Sequence, residues 1–249
     1  MSGESPLQPY TLDQYLAPDP CIRDPLPSPT VIRLPRDTRA SRKIALRSKG
    51  SARAGIVIDD HITYAESHLE FQAMLAYSAH PDVVEVREQP PSIEYVDDDG
   101  EVHDHTFDLA VTCADGRRVA VFAKPAAKVA RRDSDRQVEL LAAQTPREFA
   151  DEIKLLTEND LTDVDRFNAA AIRRARQRPD PADDEAIQPI IDALRGPTTI
   201  GHLMQAAGIG SWSYDAIVRA VADRRLVLVE HTALDHDAVV ERPSSSINR

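Results

Sequence analysis

Apolar residues recur along the chain at two spacings, which predict helices in some segments and strands in others. Residues 65–78 have the periodicity of a helix, which should end near His80 because the residue before a proline is disfavoured in helical conformation. The apolar positions on one face of this predicted helix are Leu69, Ala73, Ala76 and Tyr77, with Met74 beside them. Strand-like segments follow at residues 83–87, 92–96, 105–112 and 119–123, separated by the turn sequences DDDG and ADG.

The second half of the chain is predicted to be mainly helical. The expected helices are residues 129–143, 163–178, 185–194, 199–207 and 213–224, with a short strand at 153–156. A stretch rich in proline and aspartate, residues 179–184, is predicted to be a linker, and two strand-like segments, 226–231 and 237–240, close the pattern. Helices followed by a two-stranded wing are typical of a winged helix. We therefore expect an α/β (α+β) protein with a winged-helix-like C-terminal domain at 185–241 and a disordered tail at 242–249.

The N-terminal residues 1–55 differ from the rest in composition and charge. Residues 1–30 are rich in proline and are predicted to be an irregular arm, in which residues 10–16 could form a short helix or dock on a partner. A basic stretch follows, consisting of Arg33, Arg36, Arg39, Arg42, Lys43, Arg47, Lys49 and Arg53. Such a stretch is either a solvated loop or a phosphate-contacting arm. Because the net charge is −11, any contact with DNA must come from a local basic patch of this kind.

Composition excludes several classes of protein. No apolar run approaches the ~20 residues that span a bilayer, and the first residues lack the basic and apolar regions of a secretory signal. Cys21 and Cys113 are too few for a thiolate zinc site or a disulfide framework, so a reducing cytoplasm is the expected location. The chain has no glycine-rich phosphate loop, and any dependence on ATP would have to come from a partner.

Three residues have the order expected of a metal-dependent phosphodiesterase. Restriction-type nucleases combine a helical Glu, an Asp on one strand and an acidic-x-Lys pair on the next, because residues two apart on a strand point to the same face. In this chain Glu70 lies on the first predicted helix, Asp108 in the strand HTFDLAVT, and Lys124 at the end of VAVFAKP. Each also has a structural reading: Glu70 as a solvated charge, and Lys124 as the end of a strand before proline. Asp108 is harder to explain this way, because aspartate is disfavoured inside an apolar strand.

A run of about sixty residues from Glu66 to Pro125 resembles the nuclease domain of TnsA-type endonuclease subunits of heteromeric bacterial transposases. The matching pieces are Ser67-x-x-Glu70, the segment PDVVEVREQPPSIEY, Thr106-x-Asp108, the turn DGRR and the closing Lys124-Pro125. The upstream RKIALRSKGSARAG and the downstream IKLLTENDL and RFNAAAIRRARQ extend the resemblance to roughly residues 42–178. It implies a restriction-endonuclease-like core with a mixed central sheet at residues 56–180.

The resemblance also implies a function and partners. Glu70, Asp108 and Lys124 would be catalytic, with Glu70 and Asp108 binding Mg²⁺ (or Mn²⁺). The basic residues Arg42, Lys43, Arg47, Lys49 and Arg53 would contact double-stranded DNA at transposon ends. The expected activity is nicking of one strand, with a DDE-type transposase subunit and an ATPase regulator as partners and no membrane association. The C-terminal domain would contact the partner proteins.

Two positions depart from the TnsA pattern. Phe122 replaces the Gln or Glu expected two residues before Lys124, and Phe107 stands where a proline commonly precedes the aspartate. A phenyl ring cannot bind Mg²⁺, and Glu66 could substitute as a ligand. A second hypothesis is therefore a weakened or inactive nuclease that acts in DNA binding and transposase assembly. A third, more distant one is an unrelated nuclease-fold protein of a phage or defence system.

Overall fold

The computed structural model describes residues 34–42, 53–130 and 134–244. The predictions for residues 1–33, including the proline-rich arm, lie outside these ranges, as does most of the predicted tail. In chain order, the elements up to residue 177 are β1 (Ala54–Ile58), β2 (His61–Ala65), α1 (His68–Ala79), β3 (Val83–Glu88), β4 (Ile93–Val96), β5 (Val102–His105), β6 (Leu109–Cys113), β7 (Arg118–Ala123), α2 (Ala126–Val129), α3 (Ser134–Gln144), β8 (Glu152–Leu156) and α4 (Asp163–Gln177).

The central sheet has four strands in the order β3-β6-β7-β8. The pairs β3-β6 and β6-β7 are antiparallel, whereas β8 pairs parallel to β7 after the chain has passed through α3. The predicted mixed central sheet in an α+β protein is therefore confirmed. Two separate hairpins, β1-β2 and β4-β5, accompany this sheet.

Side-chain alternation along β7 gives the sheet two apolar faces. Val119 and Val121 join the cluster that includes Ala73 and Met74 of α1, whereas Ala120 and Phe122 join the cluster on the opposite face. Leu141 of α3 and Phe107 belong to this second cluster. Helices α1 and α3 thus cover opposite faces of one sheet.

The predicted strand 105–112 is wrong as a continuous element. The chain leaves β5 at His105, passes through Thr106–Asp108 outside any strand, and enters β6 at Leu109. Phe107 and Leu109, two residues apart, belong to clusters on opposite faces of the sheet, which a continuous strand would not allow. Asp108 therefore lies at the entrance of β6 and not inside a strand.

Part of the predicted N-terminal arm packs against the β1-β2 hairpin and the end of β3. Arg36 forms a β-bridge with His61, and Thr38 donates a hydrogen bond to the Glu88 carboxylate. The Ser41 hydroxyl donates to the carbonyl oxygens of Gln89 and Pro90 at 2.8 and 2.9 Å. Residues 34–42 are thereby held along the end of β3.

The C-terminal elements are α5 (Pro181–Ala193), β9 (Thr198–Thr199), α6 (Ile200–Ala207), α7 (Trp212–Ala222), β10 (Val227–Leu228) and β11 (Val239–Glu241). The short strands form one antiparallel sheet in the order β10-β11-β9, and the helices share an apolar cluster with the end of α4. The predicted linker 179–184 is wrong in extent: α5 begins at Pro181, capped by the Asp180 side chain. None of the helices in the described ranges is both long and apolar enough to cross a bilayer.

Candidate active site

Glu70 occupies the first turn of α1, at a capped helix start. The Ser67 hydroxyl accepts a hydrogen bond from the Glu70 backbone N–H at 3.1 Å, and a Glu70 carboxylate oxygen accepts one from the Glu66 backbone N–H at 2.8 Å. This reciprocal arrangement closely resembles a capping box, so part of the role of Glu70 is structural. It also fixes the direction of the carboxylate before any ligand binds.

Asp108 is held between three strands at the entrance of β6. One carboxylate oxygen accepts a hydrogen bond from the Ala123 backbone N–H at 2.6 Å, and the Asp108 carbonyl accepts one from Gln89 at 2.9 Å. Burial raises the pKa of Asp108 to about 7, and the nearby charge of Glu70 acts in the same direction. The Glu70 charge thus acts on the Asp108 carboxyl.

Lys124 follows β7 directly, and its ammonium group is directed toward α3. It donates a hydrogen bond to the side-chain oxygen of Gln137 at 2.7 Å and lies 4.9 Å from the centre of the Phe122 ring. Burial lowers the pKa of the adjacent His105 to about 4, and the Lys124 charge adds to this effect. At neutral pH Lys124 therefore stands beside an uncharged imidazole.

The two positions that depart from the TnsA pattern belong to the same aromatic cluster. Phe107 and Phe122 are 0% and 2% exposed, and their ring centres are 6.3 Å apart. The His105 ring makes edge contacts with both, at 4.6 and 5.3 Å. Phe122 and Phe107 are thus both part of the apolar core.

The burial of Phe122 leads to a prediction about stability. We expect Phe122→Gln to lower the free energy of unfolding by about 3 kcal/mol, because it leaves a cavity and buries an amide among aromatic rings. Urea unfolding would measure the change. Phe167→Gln is a control, since Phe167 is 48% exposed and should tolerate the change. Equal losses in the two variants would contradict the core role of Phe122.

Glu66 is paired with Arg42 and also feels the charge of Arg53. Arg42 donates to both of its carboxylate oxygens, at 2.7 and 3.2 Å. Burial raises the pKa of Glu66, but the hydrogen bonds and charges around it outweigh burial, so the pKa lies below its usual range. The groups that lower it are Arg42, Gln89 and Arg53. The Glu66 charge also acts on Asp108, so all three acidic side chains belong to one electrostatic neighbourhood.

Gln89 also lies in this electrostatic neighbourhood, although the sequence did not indicate any role for it. It is 2% exposed and has a positive φ of 40°, a backbone conformation that is uncommon for residues other than glycine. Its amide approaches Glu66 closely enough to lower the pKa of that carboxyl. Within the described ranges, however, neither amide atom makes a hydrogen bond of regular geometry. A single glutamine after a predicted strand gives no indication in the sequence that it will be buried beside a carboxylate.

The predicted DNA-binding residues are only partly visible in the structure. Lys43, Arg47 and Lys49 lie outside the described residues. Arg42 contacts Glu66, and two guanidinium nitrogens of Arg53 are buried without a hydrogen-bond partner in the described parts of the chain. The two described members of the predicted DNA-binding set therefore lie beside the acidic residues.

The acidic neighbourhood does not form a closed metal cage as it stands. Within the described residues, the one group of three potential ligands whose atoms lie within 4.8 Å of one another is Asp97, Glu101 and His103, in the β4-β5 hairpin. Glu66, Glu70 and Asp108 do not meet this criterion. Carboxylate oxygens of this kind do suit a hard cation such as Mg²⁺.

Comparison of the chain with protein-family models and with curated proteins finds no match. The resemblance to TnsA therefore rests on the residues and motifs given above.

Proposed function

We propose that the chain is the DNA endonuclease subunit of a cut-and-paste transposition machinery, nicking one strand at transposon ends by Mg²⁺-dependent hydrolysis. The chain order supports this, because it runs from helix α1 through three antiparallel strands of the central sheet and helix α3 to a parallel strand. Glu70 lies in the first turn of α1, Asp108 directly before β6 and Lys124 directly after β7. These are the positions at which a restriction-type nuclease would carry its catalytic residues.

The observation that carries the proposal is the pairing of Glu70 with Asp108. Burial and the Glu70 charge together raise the pKa of Asp108 to about 7, so an ionised pair is unfavourable in the protein by itself. Hydrogen bonding to Ala123 explains why one Asp108 oxygen is buried, but it does not require a second carboxylate nearby. A bound cation would offset the unfavourable charge and explain why both acids are present.

Each residue has a role in the proposed hydrolysis. Glu70 and Asp108 would hold the cation, which supplies positive charge beside the scissile phosphate. The Ser67 cap and the Ala123 N–H fix the directions of these two carboxylates before DNA binds. Lys124 would position or activate the attacking water, after exchanging its hydrogen bond to Gln137 for one at the phosphate.

A second candidate function is favoured by one specific observation, the burial of Phe122. Its ring occupies the position from which the TnsA pattern would offer an amide or carboxylate ligand. On this reading the chain is a weakened or inactive nuclease that binds DNA and assembles the transposase. Phe122→Gln or Phe122→Glu would then create cutting where the parent protein has little.

The C-terminal elements support contact with partner proteins in either case. The order α5-β9-α6-α7-β10-β11 suits a winged-helix-like domain. Its third helix would have to read the major groove, yet Arg219, Arg224 and Arg225 contact Asp184, Asp82 and Gln188 within the chain. We therefore assign this part to recruitment of the DDE-type transposase or the ATPase regulator.

A nicking assay on a labelled transposon-end duplex, with the partner transposase present, tests the proposal. We expect one strand to be cut in Mg²⁺ or Mn²⁺, no cutting in EDTA, and loss of cutting in Asp108→Ala and Glu70→Ala. Glu94→Ala is a control, because Glu94 is an exposed glutamate of β4. Cutting that persists in both Asp108→Ala and Glu70→Ala would overturn the site. Cutting that appears only in Phe122→Gln or Phe122→Glu would favour the second candidate.

A further inference from the structure

Gln137 of α3 is held at both ends of its side-chain amide. Its NH₂ group donates a hydrogen bond to the Tyr95 hydroxyl at 3.3 Å, and its carbonyl oxygen accepts one from the Lys124 ammonium at 2.7 Å. An amide has one donor end and one acceptor end, so the bond to Tyr95 turns the oxygen toward Lys124. Gln137 therefore offers Lys124 an acceptor whose direction is fixed by a residue of β4.

Tyr95 is fixed in turn by the rings around it. Its ring lies 5.5 Å from that of His103, makes an edge contact with His105 at 6.4 Å, and packs against the apolar cluster that contains Phe122. Lys124 lies 4.9 Å from the centre of the Phe122 ring, a distance at which a cation is attracted to an aromatic face. The β4-β5 hairpin, α3 and β7 thus jointly hold the ammonium in one place.

From these contacts we propose that Gln137 is a positioning residue for Lys124, which holds the ammonium until a phosphate of the DNA takes it from the amide. The inference rests on the proposed function and deepens it. A phosphate oxygen attracts the ammonium with an ionic charge, whereas an amide oxygen carries only a partial one, so the exchange is favourable. The amide that position 122 lacks is thereby supplied beside Lys124 from α3, and it acts on the reaction through Lys124.

Acylation of lysines by acetic anhydride, mapped by mass spectrometry, tests the contact without relying on cutting. The chain has five lysines, and the exposed Lys154 is the internal reference. We expect Gln137→Met to raise the acylation rate of Lys124 several-fold, because an acceptor that stabilises the ammonium is lost. Gln137→Glu should lower the rate several-fold, because a carboxylate holds the ammonium more firmly. Tyr95→Phe should raise it less than Gln137→Met, since the amide remains but loses its orientation.

A DNA arm tests the exchange. A duplex in EDTA should slow the acylation of Lys124 in the parent protein several-fold more than that of Lys154, because a phosphate replaces the amide as partner. In the nicking assay, Gln137→Glu should lower kcat about tenfold with little change in KM, because the carboxylate retains Lys124 while the other DNA contacts remain. Ala143→Glu is the matched control, since it adds the same charge at an exposed position of α3 and should leave both constants unchanged.

The outcomes distinguish this inference from the proposed function. Opposite shifts of the Lys124 rate in Gln137→Met and Gln137→Glu, with protection by DNA, support the inference, because a purely structural role would move both variants alike. If nicking depends on Asp108 while the Lys124 rate is the same in the parent and in both variants, the proposed function stands and this inference is overturned. If the rates shift but the duplex is neither cut nor protects Lys124, the exchange and the proposed function are both overturned.

Discussion

Replacing Asp108 by asparagine is expected to raise the free energy of unfolding by about 2–4 kcal/mol above pH 7, although the same change should remove nicking. Burial raises the pKa of Asp108 to about 7, with the Glu70 charge adding to it. Above that pH the folded protein carries an ionised group that the unfolded chain solvates better. Asparagine removes this penalty, and its oxygen can still accept the Ala123 N–H.

The gain in stability should depend on pH in a defined way. An unfolded aspartate has a pKa of about 3.9, so below about pH 4 the carboxyl is protonated in both states and the two proteins should be equally stable. Between about pH 4 and 7 the native state holds a proton that the unfolded state releases, so the parent protein loses stability relative to the variant as pH rises. The difference should level off once the pH exceeds the folded pKa of about 7. Urea unfolding in EDTA across this range measures it.

Asp99→Asn is the matched control for this experiment. Asp99 lies in the exposed turn between β4 and β5, and its replacement should change stability little at any pH. Mg²⁺ provides a second comparison. At about one hundred times its dissociation constant, a ligand stabilises the state that binds it by about 2.7 kcal/mol, which should apply to the parent protein and not to Asp108→Asn. A loss of stability in Asp108→Asn at pH 8 without metal would show that the ionised Asp108 carboxylate does not destabilise the folded protein.

The parts of the fold that the sequence predicts well are those in which local pattern and final environment agree. The alternation of β7 is visible in its small and β-branched residues, and the structure places successive side chains on opposite faces. The assignment of Glu70 and Asp108 as ligands stays a prediction; in the structure burial, with the Glu70 charge adding to it, raises the pKa of Asp108. For β7 the residue types and their spacing carry the information by themselves.

Two errors in the fold have local causes that were present in the sequence. Asp180-Pro181 combines a helix cap with a proline at the first helical position, yet the acidic and proline-rich composition suggested a linker. The β1-β2 hairpin was missed because its turn is Asp59-Asp60. Both residues have positive φ, at 47° and 64°, a conformation usually marked by asparagine or glycine.

Other features depend on contacts between remote segments and could not be predicted from one sequence. The DNA contact of Arg42 stays a prediction, and its ion pair with Glu66, 24 residues further along the chain, had no signal in the sequence. The break between β5 and β6 follows from Phe107, which turns into the aromatic cluster around Phe122. Gln89 acquires its significance only because the chain buries it beside Glu66.

The last prediction concerns Arg219, whose replacement should give the largest loss of stability in the C-terminal part. Arg219 of α7 is 6% exposed and donates hydrogen bonds to Asp184 at 2.9 Å and to the carbonyls of Ala175 and Arg178 at 3.0 and 2.9 Å. It thereby joins α7 to α5 and to the last turn of α4. Arg219→Met keeps the apolar stem but leaves these acceptors unpaired, so we expect a loss of about 3 kcal/mol in urea unfolding.

The exposed arginine of the same region is the matched control for this change. Arg224 pairs with Asp82, and the two side chains are 55% and 49% exposed, so Arg224→Met should leave stability nearly unchanged. Equal effects in Arg219→Met and Arg224→Met would contradict the buried network. Because Arg219 is committed to this network, α7 lacks a free arginine there for the DNA major groove. Arg224→Met and Arg219→Met should therefore leave DNA affinity unchanged in the folded protein, as a fluorescence-anisotropy titration with duplex DNA would show.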